Sequence, residues 1–141
     1  MPLKPIKTKP RIEKIKKDPE KATMYAINVL KRRWPAAEPI IAKHPDFAIE
    51  YIENLIQDKW PEAEPYVKNT PQSAYNYAAV TRQRFLEGES VIKTDPLYAA
   101  NYAKFFIKHR WPEAEDVIKQ NKLFWMEYQN IFRKEFIKKK N

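Results

Sequence analysis

The residues of this chain that could do chemistry are carboxylate pairs, tyrosines, two histidines and a run of lysines. Glu62 with Glu64, and Glu113 with Glu115, have the spacing of paired carboxylates, which can exchange protons as acid and base. Neither pair is read as having a histidine partner to complete such a device. Each pair also opens a helix-like segment, where the helix dipole favours negative charge, and that is the role expected of them. His44 and His109 lie far apart, match no zinc-ligand spacing and are expected to be solvated. There is no cysteine, which excludes disulfides, thiolate metal sites and a thiol nucleophile. There is one glycine, where ordinary usage gives roughly ten. Phosphate-cradling loops and dinucleotide fingerprints need several, so they are excluded too. The expectation is a non-enzyme with no catalytic residue, no metal and no cofactor.

Tyr25, Tyr51, Tyr77, Tyr102 and Tyr128 could stack bases as a single-strand platform. Each sits at the centre of an apolar stripe, so they are read as core. Trp34, Trp60, Phe85 and Trp111 each follow a basic residue. They are read as closing the corner between two helices, under the preceding Arg or Lys as a cation–π pair. Lys4, Lys7, Lys9, Arg11, Lys14, Lys16 and Lys17 could contact phosphate, with salt-dependent and sequence-independent affinity. Equally, Pro2, Pro5 and Pro10 suit a solubilising arm without fixed structure. Lys138, Lys139 and Lys140 form a shorter basic run. The chain's formal charge of +9 resolves into +6 on residues 1–17, +4 on 133–141 and −1 on 18–132, so the middle is nearly neutral.

The elements that must position these residues come from an internal repeat. Asp18-Pro19, His44-Pro45, Thr70-Pro71 and Asp95-Pro96 open four units at spacings of 26, 26 and 25 residues, and Asn121 opens a fifth 26 residues on. Seven residues into each unit is its tyrosine, preceded three residues earlier by Ala22, Ala48, Ala74, Ala99 or, in the last unit, Trp125. Trp-Pro-Glu-Ala-Glu follows intact at residues 60–64 and 111–115; the copy at 34–38 carries Ala36, and Phe85-Leu86-Glu87-Gly88-Glu89 is the loosest. The lone glycine thus falls where other copies have Ala37, Ala63 and Ala114, a packing position.

Each unit predicts two helices. The opener caps the first and its proline occupies the first turn. Apolar residues at i, i+3, i+4, i+7 and i+8, such as Ala48, Tyr51, Ile52, Leu55 and Ile56, predict one stripe of a helix of about 13 residues. Basic residues at that helix's end, including Arg33 and Arg110, suit the dipole. A shorter helix carries an apolar pair: Ile40-Ile41, Tyr66-Val67, Val91-Ile92 or Val117-Ile118. Its first turn could begin at Pro35 and Pro61 or at Pro39 and Pro65. No unit can bury its stripe alone, so neighbours must stack. The expected fold is all-α: five helix–turn–helix repeats as a short α-solenoid or compact helical bundle. The expected domains are a basic arm with a capping half-repeat at 1–17, repeats at 18–43, 44–69, 70–94, 95–120 and 121–132 onward, and a basic helix end and tail at 133–141.

The motifs Arg-Trp-Pro-Glu-Ala-Glu and Asp-Pro-x-x-Ala-x-x-Tyr-Ala, clearest at Trp111 to Ile118 and Asp95 to Ala103, resemble the short helical repeats of small tailed-bacteriophage proteins. The resemblance covers residues 18–132. It implies a phage origin and action in the cytoplasm of an infected bacterium, and it names no catalytic residue. No apolar run nears the roughly 18 residues of a membrane span, and Met1-Pro2-Leu3-Lys4 has no signal-peptide core, which fits a cytoplasmic protein without a membrane partner.

Recognition on a repeat scaffold belongs at positions that vary between units and face away from the stripe. These are Met24, Asn28, Glu50, Glu53, Asn54, Asn76, Asn101, Lys104 and Glu127. The expected function is a binding module engaging a host or phage protein, in counter-defence or host takeover. The alternative is a nucleic-acid-associated protein binding DNA or RNA through its basic ends.

Overall fold

A computed structural model describes the backbone of residues 5–138 and the side chains of 10–138. Every regular element among the described residues is helical, with no strand, as the repeat pattern predicts. The helices are α1 (Pro5–Lys16), α2 (Pro19–Tyr25), α3 (Glu38–Ala42), α4 (Pro45–Tyr51), α5 (Glu64–Val67), α6 (Pro71–Thr81), α7 (Glu89–Ile92), α8 (Pro96–Tyr102), α9 (Pro112–Ile118), α10 (Lys122–Ile131) and α11 (Arg133–Lys138). The chain forms two compact units, 1–67 and 68–141. The N-terminal segment, for which an unstructured arm was one expectation, is helical from Pro5 to Lys16, with Pro10 inside the helix.

The openers cap as their chemistry requires. Asp18 accepts from the Lys21 amide at 3.0 Å, Thr70 from Ser73 at 3.1 Å, Asp95 from Leu97 at 2.9 Å and Asn121 from Phe124 at 3.0 Å. His44 places no side chain on its helix; its Nδ1 lies 3.0 Å from the Ile40 carbonyl.

The first helix of most repeats departs from the expected single α-helix. After the tyrosine, α2, α4 and α8 continue as π-helical turns over Ala26–Leu30, Ile52–Ile56 and Ala103–Ile107. The widened ladder is seen where the Gln57 amide donates to the Ile52 carbonyl and Lys108 to Ala103. The repeats explain the difference. Tyrosine and corner aromatic are nine residues apart in Tyr25/Trp34, Tyr51/Trp60 and Tyr102/Trp111, but eight in Tyr77/Phe85. A π turn absorbs one inserted residue and leaves the corner aromatic facing its tyrosine. The third repeat lacks the insertion, and α6 is α-helical throughout.

Each of these helices ends on a residue in the left-handed region: Lys31 at φ 54°, Gln57 at 57°, Arg82 at 57° and Lys108 at 66°. Glycine ordinarily takes this position. The one glycine, Gly88, has φ −94° and serves packing instead. A Cβ there would overlap the Phe85 ring and sit 3.1 Å from the Ala74 Cβ.

The second helix begins at both of the expected places. Pro61–Ala63 forms a 3-10 turn that leads into α5 at Glu64, α3 starts at Glu38 with Pro39 in its first turn, and α9 starts directly at Pro112. Of each apolar pair only the second member is buried: Ile41, Val67, Ile92 and Ile118 are at 0% exposure.

Candidate functional site

The repeated ionisable residues converge on one device. Arg110 lays Nε and Nη2 on the two carboxylate oxygens of Glu115, at 2.8 and 2.7 Å. Oε2 of the same carboxylate accepts from the Tyr128 hydroxyl at 2.8 Å, and that hydroxyl accepts from the Trp111 backbone amide at 2.6 Å. The arrangement recurs as Arg33, Glu38, Tyr51 and Trp34, and as Arg84, Glu89, Tyr102 and Phe85. Arginine and glutamate belong to one repeat and the tyrosine to the next, so each set joins consecutive repeats. The tyrosine ring meanwhile packs on its own repeat's aromatic, with centroids 5.2 Å apart for Tyr51/Trp60, 4.7 Å for Tyr77/Phe85 and 5.4 Å for Tyr102/Trp111.

Two expectations are corrected by this geometry. Arg33, Arg84 and Arg110 do not cover the aromatic that follows them, because the carboxylate five residues on offers a bidentate fork, a stronger partner than a ring face. Glu115 is more than a helix-start charge: it is 7% exposed and doubly bonded. The Arg110 and Tyr128 hydrogen bonds hold its carboxyl below the usual carboxylate range against the opposing effect of burial. Glu38 is lowered in the same way by Arg33 and Tyr51. Burial and the donated hydrogen bond push the Tyr51, Tyr102 and Tyr128 hydroxyls well above their ordinary value.

Tyr51, Tyr77, Tyr102, Tyr128, Trp60, Phe85 and Trp111 are buried. Tyr25 and Trp34 are only half-buried, contrary to their assignment to the core. The register explains Tyr25. Where each later tyrosine finds a basic residue, an aromatic and, five residues after the base, a glutamate, residues 7–12 read Lys-Thr-Lys-Pro-Arg-Ile. The last repeat closes differently. Phe136 stands eight residues after Tyr128, the spacing of Phe85 after Tyr77, and Arg110 stacks on its ring 3.7 Å from the centroid. Glu135 accepts the Arg110 backbone amide at 3.1 Å.

Among the proposed phosphate contacts, Arg11, Lys14, Lys17 and Lys138 are exposed, and Lys16 pairs with Glu13 at 2.8 Å. Lys4, Lys139, Lys140 and the side chains of Lys7 and Lys9 lie outside the described residues. His109 is exposed, with Nδ1 2.9 Å from the Arg110 carbonyl.

The proposed partner positions fall largely on one helical stripe, at two, six and ten residues after each opener. The stripe reads Glu20-Met24-Asn28, Asp46-Glu50-Asn54, Gln72-Asn76-Val80, Leu97-Asn101-Phe105 and Leu123-Glu127-Ile131. Asn28, Glu53, Asn54, Lys104 and Glu127 are exposed; Met24, Glu50, Asn76 and Asn101 are half-buried. Asn54 is turned back on the Glu50 carbonyl at 2.8 Å. The apolar ends of the last two copies were not among the expected partner positions. Leu97 is 39% exposed, Phe105 51%, Leu123 73% and Ile131 39%, with Met126 beside them at 56%. Lys104 reaches Glu127 at 3.5 Å, which fixes these two copies as neighbours on one surface. Their amphipathic spacing was legible; their exposure depends on what α8 and α10 pack against.

Comparison with known proteins returns no matching family model, no similar curated protein and no similar solved structure. Among the described residues no three acidic or histidine side chains converge as metal ligands would, and no helix is long and apolar enough to cross a membrane.

Proposed function

We propose that this chain is a non-enzymatic helical-repeat binding module that engages a protein partner through the surface of α8 and α10. One observation carries the reading: large apolar side chains stand exposed at equivalent positions of adjacent repeats, while Arg33, Glu38 and Tyr51, Arg84, Glu89 and Tyr102, and Arg110, Glu115 and Tyr128 are bonded among themselves. Several large apolar side chains exposed on one face of a folded protein, rimmed by polar ones, mark an interaction site. The resemblance to short helical repeats of tailed-phage proteins supports a host or phage protein as that partner, within host takeover or counter-defence in the bacterial cytoplasm.

The test is affinity capture from bacterial lysate with the native chain and a Phe105→Ser/Leu123→Ser variant, each checked for folding by circular dichroism. The reading expects a partner retained by the native chain and lost by the variant. Equal capture by both, or by neither, would refute it.

A further inference from the structure

A different surface carries a second site, which does not rest on the docking face of α8 and α10. Within residues 68–141, a cleft of about 450 Å3 lies between α7 of one repeat and the Trp111-Pro112-Glu113 corner of the next. Arg84, Lys93, His109 and Arg110 line it, against the carboxylates Glu89 and Glu113. The two arginines spend Nε and Nη2 on Glu89 and Glu115, and the Arg110 guanidinium also stacks on the Phe136 ring. Lys93 makes no ion pair there, and His109 keeps Nε2 open. Trp111 and Ile107 supply an apolar wall.

The repeat supplies its own control. Residues 1–67 hold the equivalent cleft, of about 370 Å3, at the same register 51 residues earlier. There Ala42 stands in place of Lys93, and Asp58 occupies the register of His109. One cation, Lys43, lines that cleft against Glu38 and Glu62. The architecture therefore forms the cleft without a base at the registers of Lys93 and His109. In the later copy Arg84 is paired with Glu89 and Arg110 with Glu115, as Arg33 is with Glu38 in the earlier one; what its own sequence adds to the cleft is Lys93 and His109.

The geometry points to a phosphate-binding site in this later cleft, for the phosphate of a small ester or of a nucleic-acid strand. Guanidinium, ammonium and imidazole groups lining one cleft suit a tetrahedral oxyanion that accepts from several directions.

The test is 15N–1H correlation spectroscopy of the full chain at constant ionic strength. It is titrated in one arm with pyrophosphate and in the other with a short oligothymidylate. The expected shifts centre on the amides of Lys93, His109 and Glu113, and those of Ala42, Asp58 and Glu62 stay still. The variant Lys93→Ala/His109→Asp copies the earlier repeat and so keeps a sequence the fold already uses. It should weaken binding at least about tenfold, the loss of one or two charge-assisted contacts. Tighter binding of oligothymidylate at the same amides assigns the phosphate to a strand; binding of pyrophosphate alone assigns it to a small ester. No shift in the cleft with either probe, or an equal response in the variant, overturns the proposal.

Discussion

The Tyr102 hydroxyl donates to Glu89 at 2.6 Å, thirteen residues back and one repeat earlier. The same oxygen accepts the Phe85 amide at 2.9 Å. One side chain thereby satisfies a carboxylate and a buried backbone donor, and its ring packs on Trp111 of its own repeat.

Removing that oxygen should leave both partners without it. Tyr102→Phe is expected to cost about 1–3 kcal/mol in urea unfolding, the penalty for stranding buried polar groups. Tyr25→Phe should cost less than about 0.5 kcal/mol, because Tyr25 makes no hydrogen bond among the described residues.

Stability should fall at both ends of the pH scale. The folded values of Glu38 and Glu115 are lowered, so their contribution is present above the unfolded carboxylate value of about 4.3 and is lost as pH falls through the folded one. Glu115→Gln should flatten the acid limb of a Tm–pH profile. The hydroxyls of Tyr51, Tyr102 and Tyr128 are raised, so their contribution is present below about pH 10 and is lost at higher pH.

The left-handed helix ends place side chains where glycine is favoured. Lys31→Gly and Gln57→Gly, both exposed, should each raise stability by about 0.5–1 kcal/mol in denaturant titrations.

The π turns should behave as removable insertions. Deleting exposed Glu53 brings Tyr51 and Trp60 to the eight-residue spacing of Tyr77 and Phe85, and cooperative unfolding should survive with a loss below about 2 kcal/mol. Deleting Ala79 from the regular α6 leaves seven residues and pulls Phe85 off Tyr77. That loss should be about 3–5 kcal/mol, as for a large core truncation.

The repeat, the caps and the buried tyrosines were legible because they follow a period that local chemistry dictates. Asp95 and Asn121 announce helix starts, and Ala99 and Tyr102 share one face. The tyrosine hydroxyl's partner was not legible, since Glu89 and Tyr102 meet only once two repeats stack. The signal that could have found it was present: arginine, the glutamate five residues on and the next repeat's tyrosine recur together. The π turns were hidden in the same way, behind a one-residue difference between the third repeat and its neighbours. Tyr25 and Trp34 share the register of the buried copies yet are half-buried, and for Tyr25 the reason stands in the sequence: residues 7–12 lack the motif that serves the later tyrosines.

The central claim is that the motif's ionisable residues are spent on joining repeats. A double-mutant cycle on Tyr128→Phe and Glu115→Gln measures it most directly, by the free energy of unfolding of the native chain, both single variants and the double. A coupling of about 1–2 kcal/mol is expected from a charge-assisted hydrogen bond at 2.8 Å in a buried setting. Additivity to within about 0.3 kcal/mol would contradict it, and would mean that the tyrosine and the glutamate do not hold the repeats together.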